Sequence, residues 1–409
     1  MQNYFADPGV PYPAAGLAFS PKIRDAFALI DRSGDGSPDD ELVRICEIPA
    51  PPFKEQARAA YVSKRLTEVG LSVSQDPVGN VIGLLPGRSK GPAVIVSAHL
   101  DTVFPEETDV RVRRDGIRLW APGISDNACG VASLIALAEL IQAAKISTDN
   151  PVYFVATVGE EGEGNLRGVR YLFTKGEFKD GAAAFVSLDG PGLERVTNRA
   201  LGSRRYKVTI TGPGGHSWAD FGIVNPVNAL GRAIARFAVY QPPLSPRTAF
   251  NIGVIEGGKS VNAIPDSASM MVDLRSVSKS EVDKMEGYLR RAVELGIREE
   301  NAQRATSGTG LALALELIGD RPSGETPLDS RIVQLALECS RALGLEPRLD
   351  CSSTDSNIPI SLGIPAITIG VGGLSGNCHS LTEWYEPTGR ELGMKRLLIL
   401  CVALAGIAF

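Results

Sequence analysis

Three apolar runs, AVIVSA, VYFVATVG and AAFVSL, each end on residues that carry chemistry: His99 and Asp101, Glu160 and Glu161, and Asp189. Short apolar runs bounded by polar turns read as strands buried on both faces. They alternate with helical stretches at 55–69 and 128–144. This rhythm predicts an α/β domain built on a mixed, mostly parallel sheet flanked by helices. Open sheets of that kind bind ligands beyond the carboxyl ends of their strands, which is where these polar residues fall.

With 409 residues, 44% hydrophobic and 22% charged, the chain can bury more than one core, so two domains are expected. The pattern changes near residue 203. RRYKVTITG, a helix over 225–240, TAFNIGVIEGG, SASMMVDLRS, a helix over 279–299 and LALALEL read β-α-β-β-α-β, the ferredoxin-like order. After it the α/β style returns, with a helix over 329–343, the strand AITIGVGG and a last apolar helix from Glu391. The expected division is therefore 1–202 and 318–409 for a catalytic domain, with 203–317 inserted as an α+β lid domain. The GTG and SGE stretches between 308 and 325 read as a flexible return linker. DRSGDGSPDDEL, from Asp31 to Leu42, mimics a calcium loop, but Leu42 stands where the bidentate glutamate belongs. A helix capped at Ser37 and running to Ile48 is the expectation there.

A net charge of -5 with scattered Lys and Arg offers no basic stripe for nucleic acid and no polybasic membrane patch. The first residues lack a basic region followed by a long apolar core, no run looks apolar enough to span a bilayer, and a cytoplasmic location is expected. The six cysteines are widely spread without CxxC spacing, so we expect reduced, mostly structural thiols. That includes Cys129 and Cys378, although both adjoin candidate ligands.

Only three histidines occur, in HLD at His99, GGHSW at His216 and NCHSL at His379. An imidazole can bind a metal through one nitrogen while a nearby carboxylate holds the other. Asp101 could orient His99 in this way, or face a neighbouring loop. Asp126, directly before an apolar helix, is either an N-cap or a carboxylate bridging two cations. Adjacent Glu160 and Glu161 at a strand's end repel unless cations or protons offset them, and neighbours in extended chain point in different directions. One glutamate can thus bind metal while the other faces substrate. Arg275 in VDLRS has the alternative of a surface ion pair, and Asn262 that of an ordinary turn residue.

The ordered set HLDTV, GISDNACG, VGEEGEG, SLDG, GGHS and CHS-x-x-E resembles the metallopeptidase family that contains peptidase T, glutamate carboxypeptidase, acetylornithine deacetylase and aminoacylase. The resemblance covers nearly all of the chain from about residue 38. It implies that Asp126 bridges two zinc ions, with His99 and Asp189 completing one site and Glu161 and His379 the other; manganese or cobalt also suit these donors. Glu160 would be the general base, with Asp101 a further catalytic residue. His216 would stabilise the tetrahedral oxyanion, usually in the partner subunit, and Asn262 and Arg275 would contact substrate. A homodimer through the lid is implied as well. Two divalent cations, three carboxylates and one hydroxide sum to zero charge, consistent with a water already ionised. The expected substrate is a short peptide cleaved as by a di- or tripeptide aminopeptidase, because Asp189 resembles the aminopeptidases, where carboxypeptidases and deacylases commonly carry glutamate. An N-acyl amino acid amidohydrolase or carboxypeptidase is the alternative. Relatives often carry GGTD where this chain has CSSTDSN around Asp355, so substrate contacts there are expected to differ.

Overall fold

The computed structural model of the chain describes residues 16, 20–32, 37–304 and 310–408. The described residues up to Arg199 and from Glu325 onward form one compact unit, and Ala200–Gly324 a second. In the first, nine strands form one sheet in the order Ser72–Gln75, Val81–Leu85, Val152–Thr157, Val94–His99, Ala184–Leu188, Ala366–Ile369, Arg195–Ala200 and Gly324–Glu325, with Arg348–Ser352 also paired to Arg195–Ala200. The sheet is mixed, and its parallel character is confined to the centre, from Val152–Thr157 to Ala366–Ile369. The flanking pairs on either side of that centre, out to Ser72–Gln75 and to Arg195–Ala200, are antiparallel. The parallel strands are apolar runs of the sequence, with Val94–His99 and Ala184–Leu188 buried along their whole length, as strands of a sheet covered on both faces are.

Helix Cys129–Ala143 is buried on nearly every face, packed against Val94–His99, Val152–Thr157 and Ala184–Leu188 and against helices Ser37–Cys46, Gln56–Glu68 and Arg390–Ala405. Together with its lead-in, Ile124–Ala143 is apolar and long enough to cross a membrane by composition, which the expectation drawn from the sequence overlooked; 83% of its apolar window is buried inside the molecule. A helix that is apolar all round belongs in a core of this kind. Ser37 begins its helix at the expected residue, and the helix ends at Cys46. Residues 33–36 of the calcium-loop mimic lie outside the described residues.

The second unit is a four-stranded antiparallel sheet in the order Thr248–Gly257, Ser267–Ser276, Gly202–Thr211, Ala312–Arg321. Helices Pro226–Ala238 and Lys279–Gln303 pack on it. Phe237, Met270, Met285 and Leu289 are central to its own core. Asn225 caps the first helix by accepting from the N–H groups of Val227 and Asn228. The return segment differs from the expected linker. Residues 305–309 are outside the described set, but the last strand continues through Arg321 on Gly202–Thr211 across a bulge at Arg205/Tyr206. A boundary at 317 would cut this strand. Ladder hydrogen bonds need no apolar side chain, so the polar end of the strand was invisible to patterning.

Candidate metal centre

His99 closes strand Val94–His99, and its ring is 2% exposed. Its Nδ1 lies 3.0 Å from the backbone carbonyl of Asp101, which can only accept. In the neutral ring the proton is therefore on Nδ1, leaving Nε2 to face Asp126 Oδ1 3.1 Å away and Asp189 Oδ1 4.0 Å away. Of the two alternatives for the Asp101 carboxylate, the neighbouring loop is the one observed: the group stands 3.8 Å from Nδ1 and accepts from the N–H groups of Glu160 and Glu161 at 2.9 and 2.7 Å. Asp101 thus orients His99 with its carbonyl and fixes the diglutamate loop with its side chain.

Asp126 is no helix cap, for the helix begins at Cys129 and its Ala128 cap makes no side-chain bond. Its backbone instead follows Glu383. That buried carboxylate accepts from the N–H groups of Gly123, Ser125 and Asp126 at 3.0, 2.8 and 3.1 Å, and from the Ser125 hydroxyl at 2.7 Å. Asn127 reaches the next strand end, donating to the Leu188 carbonyl at 2.8 Å and accepting from Gly190 at 3.3 Å. Asp189, which follows that strand, is thereby brought to the same place. On the far side, His379 Nε2 sits 3.1 Å from Asp126 Oδ2 and 3.2 Å from Glu161 Oε1. His379 has a left-handed φ of 62°, and strands Leu374–Gly376 and Trp384–Glu386 bracket its loop.

Charges concentrate accordingly. Burial works against protonating His99, but close contact with Asp126 and the charges of Glu160 and Asp189 outweigh it and hold its pKa well above the ordinary imidazole value. The hydrogen bond that His379 donates to Asp126, with help from contacts to Cys378 and Glu161, raises it likewise. Burial would raise Asp126, yet the two histidines hold it well below the usual carboxylate range. Asp189 is pushed up to about 6 by burial and by the Asp126 charge. Asp101 rises to about 6 through burial.

These residues fit divalent cations. Donor atoms of His99, Asp126 and Glu161 lie within 4.8 Å of one another, as do those of Asp126, Cys378 and His379. Buried His99 Nε2 and Asp126 Oδ1 have no hydrogen-bond partner, and two lone pairs facing each other at this range repel unless a cation or proton lies between. Each carboxylate oxygen of Asp126 faces a different histidine, which is the arrangement a bridging ligand requires. Glu160 is 4% exposed beside this cluster.

The remaining expected residues lie in the second unit. His216 and Asn262 come together through the short ladder Gly215–His216 with Ala263–Ile264, and the Asn262 carbonyl accepts from Ser217 at 3.0 Å. His216 Nδ1 faces the N–H groups of Trp218 and Ala219 at 3.2 and 3.3 Å, so its neutral form carries the proton on Nε2. Arg275 does form the ion pair that was its alternative, to Asp273 at 2.6 Å. Two positioning residues escaped the sequence reading. Glu383 was visible as the last letter of CHS-x-x-E but had no role. Buried Arg58 donates to the carbonyls of Ile48 and Leu100 at 2.6 and 2.7 Å, anchoring the residue after His99, and no local pattern marks it.

Acidic and imidazole side chains gathered at the strand ends and adjoining loops of one sheet make a candidate divalent-cation site of the kind hydrolases use. The chain belongs to Peptidase family M20/M25/M40, whose sequence profile it matches over residues 95–401. It is 27% identical to thermostable carboxypeptidase 2 of Saccharolobus solfataricus over 267 residues, 61% of this chain and 66% of that protein. Its fold matches a tripeptidase of Staphylococcus aureus with a TM-score of 0.75 at 20% identity, over 90% of this chain and 98% of that one. It also matches the YXEP protein of Bacillus subtilis, described as a dinuclear metal binding peptidase from the M20 family, with a TM-score of 0.66 at 18% identity over 94% and 100% of the two chains. The protein is therefore an enzyme of the peptidase and amidohydrolase class, performing metal-dependent hydrolysis of peptide or amide bonds.

Proposed function

We propose that the protein is a dinuclear zinc aminopeptidase acting on di- and tripeptides in the cytoplasm. The observation that carries this is the placing of His99 and His379 on the two oxygens of the Asp126 carboxylate, with Glu161 beside His379. In this reading His99 and Asp189 hold one cation, Glu161 and His379 the other, and Asp126 bridges. Bound cations would polarise the scissile carbonyl and acidify water. Glu160, on a loop fixed by Asp101, takes the proton of the attacking water and delivers it to the leaving amine. His216, with Nε2–H as donor, stabilises the charge that develops on the carbonyl oxygen, acting across a homodimer formed through the second unit. Asn262 binds the substrate backbone. Arg275 exchanges part of its contact with Asp273 for the far carboxylate, setting peptide length. Asp189 and the likeness to a tripeptidase support the aminopeptidase assignment.

The test is turnover of di- and tripeptides with free, N-acetylated and C-amidated ends. Cleavage restricted to peptides with a free amino group is the expected result. Activity only on N-blocked substrates would replace the reading with an N-acyl amino acid deacylase or carboxypeptidase, the alternative that the likeness to a carboxypeptidase favours.

A further inference from the structure

Cys378 has no place in the ligand set proposed above, yet its position is that of a donor. Its Sγ lies 3.4 Å from Asp126 Oδ2, the oxygen that also faces His379 Nε2 at 3.1 Å. Around a tetrahedral cation with metal–sulfur bonds of about 2.3 Å and metal–oxygen bonds of about 2.1 Å, donor atoms stand roughly 3.4–3.6 Å apart. The Sγ–Oδ2 spacing falls in that range, and the donor atoms of Asp126, Cys378 and His379 all lie within 4.8 Å of one another, close enough to share one cation. An independent feature marks the same carboxylate: His99, 2% exposed, aims an unpartnered Nε2 at Asp126 Oδ1. Asp126 therefore turns one oxygen to His99 and the other to a pair of donors, one nitrogen and one sulfur.

Resting on the dinuclear reading, we infer that Cys378 is a thiolate ligand to the cation held by Asp126, Glu161 and His379. Binding replaces the S–H bond by a metal–sulfur bond, and the proton leaves to solvent. A soft sulfur donor tilts this site towards zinc or cobalt and away from manganese, which favours oxygen. Cys129, by contrast, is buried and donates to the Ser125 carbonyl at 3.0 Å, so it takes no part.

The experiment titrates the metal-free, reduced full-length protein with Co2+ and records the near-ultraviolet sulfur-to-cobalt charge-transfer absorption in wild type, Cys378→Ser and Cys129→Ser. The band is expected in wild type and Cys129→Ser and absent from Cys378→Ser. In a competition with a chromophoric chelator, Cys378→Ser should lose at least about tenfold in Zn2+ affinity at one of two sites, as removal of a metal-supporting group does, with Mn2+ affinity nearly unchanged. Two bound Co2+ ions without the band, or an equal band in Cys378→Ser, would overturn the ligand and leave the dinuclear reading standing. Failure of the wild type to bind Co2+ at all would overturn both.

Discussion

At the residue scale, each carboxylate of the centre is defined by what it touches, and the roles separate cleanly. Asp101 is spent on the backbone of the diglutamate loop, and our reading gives Glu160 the role of base rather than ligand. Replacing Glu160 with Ala should lower kcat/KM by about a hundredfold to ten-thousandfold, the usual contribution of a general base, while metal content measured by emission spectroscopy stays at the wild-type level. Loss of metal with activity would assign Glu160 to the ligands instead. Asp355 is a second case. It is 1% exposed, accepts from the Thr157 hydroxyl at 2.5 Å through one oxygen, and has no partner on the other. Burial pushes its pKa up to about 6. A raised carboxyl pKa means the folded state binds the proton more tightly than the unfolded one, so its stability contribution is present below the unfolded value and lost as pH rises through about 6. Asp355→Asn in metal-free protein should therefore gain stability relative to wild type above that pH, by about 2–3 kcal/mol for a shift of this size, with the gain vanishing in acid. Chemical denaturation across pH reads this directly; a difference independent of pH would show that Asp355 does not titrate there.

At the scale of elements, the centre is made by ties between strand ends. The loop before helix Cys129–Ala143 is held from the far end of the chain by Glu383, and the diglutamate loop is held from the end of strand Val94–His99 by Asp101. Glu383→Gln keeps size but gives up accepting capacity, leaving backbone N–H groups of the Asp126 loop unpaired. We expect a 10–100-fold loss of metal affinity, the effect of removing groups that orient ligands, and a smaller change in kcat once metal is saturating. Unchanged affinity in a calorimetric titration would mean that the loop holds its shape without Glu383. The helix apolar on all sides and the central parallel strands were legible because burial on every face writes itself into hydrophobicity. Strand Ser72–Gln75 and the small sheet formed by Arg113–Asp115, Arg118–Trp120, Trp384–Glu386 and Leu374–Gly376 were not, because short, half-exposed edge strands carry little pattern.

At the scale of the whole molecule, cation binding and folding are linked. A ligand that binds only the folded state stabilises it by RT ln(1 + [L]/Kd), so chelation should lower the thermal midpoint and two equivalents of zinc should restore it. A midpoint indifferent to chelation would argue against tight sites. If His216 serves the partner's centre, mixing His216→Ala with His379→Ala should regain activity that neither variant has alone. Failure of mixed, equilibrated dimers to regain any would place His216 within its own subunit or outside the reaction.

His99, Asp101, the Glu160–Glu161 pair and Asp189 stood out because strand-end chemistry is local, the helices near their observed ends and the chain order of elements in the second unit followed from apolar periodicity, and the metal roles of Asp126 and His379 came from the family resemblance. What the Asp101 carboxylate binds, the fastening of Asp126 by Glu383, the buried grip of Arg58 and the approach of Cys378 to Asp126 were decided only by the tertiary structure. Each joins positions far apart in the chain, and a hydrogen bond between distant segments leaves no period or spacing for a single sequence to display.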